Sequence, residues 1–320
     1  MICKLKVNFF TVLFWASVFF ANNQPSCAVL SKDLKAILPS GDQMPLIGFG
    51  TSKVLGTELV KNTLDDALAA GYRLFDTAAV YGNEEDIGKA LKELLPKHNL
   101  TRKDIFITSK LAARAETLGK NAYAALEKSV KTINCDYLDL YLIHFPGIPS
   151  PKKENYSALR DESWQQLVKG VKNGLTRNIG VSNYNVHHLT ELVNNDHGVK
   201  VAVNQVEWNP RYHQDDLLNF CKQNGILLQG YFSIGGTGNT DLINNVEVKR
   251  ISEKLGKHQA QVLLRWAVQQ NVAVIPKSLS RKHMDSNLDL NFEIPQADME
   301  ILNSFPQKLK NPGWNPDNAL

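Results

Sequence analysis

The chain has 320 residues, 43% hydrophobic and 21% charged, with a formal net charge of +4. This is ordinary globular composition, and the length can bury a large core. The basic residues are dispersed, with no run of five or more, so a nucleic-acid partner is not expected.

The N-terminus departs from this pattern. Lys4 and Lys6 precede an apolar run from Phe9 to Ala21, and Ser26-Cys27-Ala28 places small residues where a signal peptidase requires them. The expectation is a signal peptide over residues 1–28, its apolar run too short for a membrane span of about 20 residues. A secreted protein or one held in the secretory lumen follows, with no membrane association once the leader is gone. Asn99-Leu100-Thr101 and Asn155-Tyr156-Ser157 are glycosylation sequons that suit this route. Leader removal leaves Cys135 and Cys221, far apart in sequence and read as two buried thiols.

From there, short apolar runs alternate with amphipathic ones. Strands are expected at Pro45–Thr51, Tyr72–Thr77, Ile105–Lys110, Tyr137–His144, Asn178–Asn183, Val201–Val206, Ile226–Tyr231 and Val272–Ser278. Most are continuously apolar, as parallel strands covered on both faces must be. Between them, Val60, Leu64, Ala67 and Leu68 share a helix face closed by Gly71. Ile87, Ala90, Leu91 and Leu94 share another, with Asn83 as N-cap and Glu84, Glu85 and Asp86 in the first turn. Trp164, Leu167, Val168 and Val171 repeat the spacing before Gly174, as do Leu217, Phe220 and Cys221 before Gly225. Helices around Val248–Leu255 and Gln259–Val268 precede the last strand.

Strict strand–helix alternation requires a parallel sheet, and eight units close into a (β/α)8 barrel of the TIM class, here one domain over residues 29–320. An open doubly wound sheet would carry a three-glycine phosphate turn after its first strand. Gly48-Phe49-Gly50-Thr51-Ser52-Lys53 lacks the third glycine, and Gly235-Gly236-Thr237-Gly238 has the wrong spacing. In a barrel, function gathers at the C-terminal ends of the strands. Asp76, Lys110, His144, Asn183, Gln205, Tyr231 and Lys277 end seven of the eight.

Those ends lie in motifs. Gly71-Tyr72-Arg73-Leu74-Phe75-Asp76-Thr77-Ala78 followed by Tyr81-Gly82-Asn83-Glu84 resembles the first signature of the aldo-keto reductases. Ile107-Thr108-Ser109-Lys110, Leu140-Tyr141-Leu142-Ile143-His144, Gly180-Val181-Ser182-Asn183 and Ile275-Pro276-Lys277-Ser278 resemble later ones. The resemblance runs from about residue 35 to the C-terminus. It implies a barrel with a short N-terminal β-hairpin and extra helices, usually monomeric, that reduces a small carbonyl compound with NADPH. The short tail is similar to that of compact members such as glyoxal, diketogluconate and prostaglandin F synthase-like reductases.

The implied chemistry has a physical logic. A hydride goes to the carbonyl carbon and a proton to its oxygen. A free phenol has a pKa of about 10, and a neighbouring ammonium lowers it. Tyr81 is thus expected as general acid, Lys110 as the cation that acidifies it, Asp76 as the anchor of Lys110, and His144 as the group that orients the substrate oxygen. Short-chain dehydrogenases also pair a Tyr with a Lys one helical turn on, but position 85 is Glu. The resemblance assigns Ser182, Asn183 and Gln205 to the nicotinamide carboxamide, Tyr231 to stacking on its ring, Lys277 and Ser278 to the 2′-phosphate, and Asn287 to the adenine. His283 stands where the family often has an arginine.

The substrate wall is expected from Phe145, Trp208 and Phe232. Ser52 and Phe145 replace frequent tryptophans, so dicarbonyls, lipid aldehydes and ketosteroids all stay open. No metal is expected: His187 and His188 are adjacent on a helix and face apart, and the cysteines are not clustered. Two rivals remain. One is a secreted cofactor-binding protein without catalysis. The other is a hydrolase using Asp76 and Glu207.

Overall fold

The computed structural model describes residues 33–308 and 315–320, except 237 and 239. The expected leader therefore lies outside the described residues. The chain opens with a hairpin of β1 (Lys35–Ile37) and antiparallel β2 (Gln43–Pro45). Asp42 in its turn accepts from Asn178 Nδ2 at 2.9 Å, and Met44 is fully buried. The hairpin thus covers the N-terminal end of the barrel.

Eight parallel strands follow in sequence order: β3 (Phe49–Gly50), β4 (Leu74–Asp76), β5 (Phe106–Leu111), β6 (Leu138–Ile143), β7 (Thr176–Ser182), β8 (Val203–Glu207), β9 (Leu227–Tyr231) and β10 (Ala273–Val274). The sheet closes between its ends through a parallel bridge of Ile47 with Val274, where Gly48 N–H donates to the Val274 carbonyl at 2.8 Å. Glycine is required at this seam. A Cβ on Gly50 would stand 2.7 Å from the Ile275 carbonyl oxygen. β5 and β6 are buried at every position, as their unbroken apolar runs require.

Helices separate the strands: α1 (Thr57–Ala70), α2 (Glu84–Lys97), α3 (Ala122–Ile133), α4 (Ser157–Lys172), α5 (Val186–Asn194), α6 (Asp215–Gln223), the pair α7 (Val246–Leu255) and α8 (Gln259–Gln269), then α9 (Arg281–Leu288) and α10 (Gln296–Asn303). Val60, Leu64, Ala67 and Leu68 are the buried face of α1, and Gly71 closes it at φ 111°. Ile87, Ala90, Leu91 and Leu94 do the same for α2.

Several expectations need correction. Pro45–Thr51 is not one strand. Pro45 belongs to the hairpin, and the barrel strand is only Phe49–Gly50. Val272–Ser278 shrinks to Ala273–Val274, because Pro276 has no N–H to continue the ladder. Asn83 does not cap α2 with its side chain. It is fully buried and accepts from Thr77 Oγ1 while donating to the Thr51 and Val54 carbonyls, tying together two loops of the upper rim. Helix α3 went unread although Ala122, Leu126, Val130 and Ile133 mark its buried stripe. Cys221 is buried, but Cys135 is only half-buried; both are free thiols. His187 is largely exposed while His188 is buried, but their rings do not face apart: the centroids are 5.6 Å from each other. Among the described residues no helix is long and apolar enough to cross a membrane.

Candidate active site

Asp76 ends β4 and Lys110 projects from β5, so adjacent parallel strands carry both charges into the barrel mouth. Lys110 is fully buried. Its ammonium lies 2.5 Å from Asp76 Oδ1, 2.8 Å from the Thr77 carbonyl and 3.5 Å from the Tyr81 hydroxyl. An ammonium has three hydrogens, and these three acceptors use them all. A short helical turn over Ala79–Tyr81, ended by Gly82 at φ 70°, aims the Tyr81 ring back at Lys110. His144 follows β6 directly, its ring edge-on to Tyr81 with centroids 5.9 Å apart.

Electrostatics revise one expectation. Burial pushes the Tyr81 phenol above its ordinary value, and the nearby Lys110 charge offsets this only in part. The phenol therefore keeps its proton through the neutral range rather than being acidified. Burial works to discharge Lys110, but the Asp76 carboxylate and the hydrogen bonds to Asp76 and Tyr81 counter it, and the ammonium is held above its usual value. Burial, aided by repulsion from Lys110, pushes His144 down to about 3. The imidazole is neutral at pH 7, with one N–H to donate and one nitrogen to accept.

These groups sit at the base of a cleft of about 580 Å³, also lined by Ser52, Lys53, Asn183, Gln205, Glu207, Tyr231, Phe232 and Lys277. A second hollow of about 260 Å³ holds Ser278, Lys282, His283 and Asn287 and shares Ile234 and Lys277 with the first. The two form one elongated groove. Three of its lining residues, Lys53, Asn183 and Phe232, adopt left-handed backbone at φ 64°, 64° and 52°. Such conformations in non-glycine residues concentrate at functional sites.

Ser182, Asn183 and Gln205, the residues expected at the carboxamide, lie close together. Asn183 Nδ2 donates to the His144 carbonyl at 2.9 Å, and its Oδ1 accepts from the Tyr231 hydroxyl at 2.7 Å. Ser182 lies just behind, donating to the Gln205 carbonyl at 2.7 Å. Gln205 Nε2 donates to Asp76 Oδ2 at 2.7 Å. Phe145 and Trp208, expected on the substrate wall, do not line the cleft. Phe145 packs on Ala113 and Ala319, and Trp208 stacks on Trp266 at 6.0 Å. Both are 1% exposed, because apolar surface offered by neighbouring segments covers them. Phe232 does line it, half exposed.

Lys53 and Lys282 were not singled out as site residues. With Lys277 they make three lysines along the groove, none in an ion pair among the described residues. Lys53 lies three residues past the first strand, at the kind of strand end where function was sought. No metal-binding group of His, Cys, Asp and Glu occurs among the described residues.

The chain as a whole resembles known proteins. The model of the Aldo/keto reductase family matches residues 46–306. The chain belongs to the aldo/keto reductase family. It is 39% identical over 284 residues to the glyoxal reductase of Bacillus subtilis, covering 88% of this chain and 96% of that protein. It is 34% identical to the NAD(P)H-dependent D-xylose reductase I,II of Candida tropicalis over 88% of this chain and 95% of that one. Among solved structures, the Bombyx mori aldo-keto reductase in complex with NADP superposes with a TM-score of 0.77 at 30% identity, covering 86% of this chain and 93% of that one. This aldo/keto reductase thus shares its barrel with relatives across bacteria, fungi and insects.

Proposed function

We propose that the protein reduces an aldehyde or ketone with NADPH, with Tyr81 as general acid. The observation that carries this reading is the Lys110 ammonium bridging Asp76 and Tyr81 at the base of a groove that three lysines line. The groove suits the cofactor. Its carboxamide-binding end has donors and acceptors in Ser182, Asn183 and Gln205. Tyr231 offers a ring face beside them. Lys277 and Ser278, with Lys282, His283 and Asn287, suit a 2′-phosphate and adenine, since a phosphate dianion attracts ammonium groups. When bound, the cofactor supplies the hydride that reaches the carbonyl carbon.

The chain's own residues do the rest. The neutral His144 presents an N–H that orients the carbonyl oxygen. Tyr81, which keeps its proton at neutral pH, gives it to that oxygen as negative charge develops there. Lys110 remains charged and stabilises the phenolate left behind, while Asp76 keeps Lys110 from turning away. Proton transfer of this kind contributes about 10²–10⁴ in rate. The hydrolase alternative fits less well, since Asp76 is engaged by Lys110 and Gln205 rather than poised against Glu207.

The cleft is lined partly by Ser52 and Lys53, with Phe232 its exposed aromatic side. The likeness to a glyoxal reductase makes small dicarbonyls the first compounds to test. NADPH oxidation with 4-nitrobenzaldehyde and with methylglyoxal, compared with Tyr81→Phe, tests the function. A loss of at least about 100-fold in kcat with NADPH affinity preserved is expected. Equal rates would leave a protein that binds the cofactor without catalysis.

We also read residues 1–28 as a cleaved leader. Asn99 and Asn155 are exposed, as sequon asparagines must be. N-terminal sequencing of the mature protein from its own cell tests this, and an intact Met1 would refute it.

A further inference from the structure

We infer that Gln229 is a positioning residue for the cofactor carboxamide, acting through Gln205. This rests on the reading of Gln205 as a carboxamide ligand. Gln229 is a polar residue in the apolar run Ile226–Tyr231, and it is fully buried inside the barrel. Its Oε1 accepts from Gln205 Nε2 at 2.8 Å, and the same nitrogen donates to Asp76 Oδ2 at 2.7 Å. A carboxylate held by an ammonium only accepts, so the end of Gln205 that meets Asp76 must be its nitrogen. The nitrogen has two hydrogens. Asp76 takes one, and Gln229 takes the other.

The consequence lies at the other end of the amide. With Nε2 occupied twice, Gln205, which lines the cleft, has only Oε1 left to offer a ligand, and that oxygen makes no hydrogen bond among the described residues. A lone acceptor there selects a ligand group that donates. The amide nitrogen of a nicotinamide carboxamide donates. Gln229 thus holds the second hydrogen of Nε2 and, together with Asp76, fixes the rotation of Gln205 and the polarity it shows to the cofactor.

The arrangement has a cost. Gln229 Nε2 is buried with no hydrogen-bond partner among the described residues. An orphaned donor of this kind destabilises the fold, and an apolar residue at this position would avoid it. A stability role alone does not account for a glutamine here, whereas an acceptor for Gln205 does.

The test compares binding of NADP+ with binding of its 3-acetylpyridine analogue, in which a methyl group replaces the amide nitrogen. The unmodified protein is expected to prefer NADP+ by about tenfold, the value of one hydrogen bond to a buried acceptor. Gln229→Met removes the acceptor at similar volume and is expected to bring the preference within about twofold. Gln229→Leu supplies the same comparison if the methionine variant does not fold. Gln229→Glu keeps an acceptor oxygen and is expected to retain the preference. Affinity for 2′,5′-ADP, which fills only the far end of the groove, is expected to be unchanged in all of them. A preference that survives in the apolar variants overturns the inference. So does a parallel loss of 2′,5′-ADP binding, which marks a general structural role, or a glutamate variant that behaves like the methionine one. An unmodified protein that binds NADP+ without preferring it to the analogue overturns the inference alone. One that binds neither NADP+ nor 2′,5′-ADP overturns the proposed function with it.

Discussion

Lys110 shows how one side chain couples stability to chemistry. Its three hydrogens are committed to Asp76, Thr77 and Tyr81, and its side chain is fully buried. Lys110→Met would leave the Asp76 charge buried with only Gln205 beside it. A loss of about 3–5 kcal/mol is expected, since removing one partner of a buried pair costs far more than the pair contributes. Urea unfolding measures it, together with the expected fall in kcat. Lys277 is the opposite case, an ammonium at the junction of the two hollows with no ion-pair partner among the described residues. Lys277→Met is expected to weaken NADPH by about tenfold or more, the range of a charge-assisted hydrogen bond, and to change NADH by less than about twofold. Fluorescence titration of both cofactors decides this. Equal losses would remove Lys277 from the 2′-phosphate.

At the scale of elements, the barrel is weakest where its first and last strands meet. β3 and β10 are two residues each, and their neighbours Gly48 and Pro276 continue the pairing through single hydrogen bonds. Gly50→Ala would drive a Cβ against the Ile275 carbonyl, a backbone atom that cannot step aside as a side chain could. A cost of about 1–3 kcal/mol is expected, typical of overpacking. Because the same seam carries Ile275, Pro276 and Lys277 into the groove, NADPH affinity is expected to fall with it. Thermal melts with and without NADPH check both effects. An alanine variant of unchanged melting temperature would show that the seam yields.

For the whole molecule, the pH response follows from two buried imidazoles. Burial holds His144 down to about 3 and His188 down to about 4. A free histidine takes its proton near pH 6.5. Below that value the unfolded chain binds protons that the folded one refuses. The stabilisation is complete above pH 6.5 and is lost as pH falls toward 4 and then 3. Each histidine adds up to about 1.4 kcal/mol per pH unit to the slope in that window. His188→Gln is expected to flatten the dependence of stability on pH between 6.5 and 4, leaving the share of His144. Denaturant unfolding across that range tests it, and an unchanged slope would mean that His188 is charged in the folded protein.

Local pattern was enough for the barrel itself. Continuous apolar runs such as Leu138–Ile143 can only be buried on both faces, and the helix stripes between them force those strands parallel. Asp76, Lys110 and His144 were legible because strand ends in such a barrel converge whatever the loops do. Loop and core decisions were not legible. Whether Phe145 and Trp208 face the cleft or the protein interior depends on what packs over them, here Ala319 and Trp266. Asn83 had the right chemistry for a cap, but the loops at Thr51 and Val54 offered better partners. The direction of the Tyr81 shift was likewise set by depth. A neighbouring ammonium is visible as a residue in sequence, whereas the desolvation that outweighs it exists only once the barrel has closed around both.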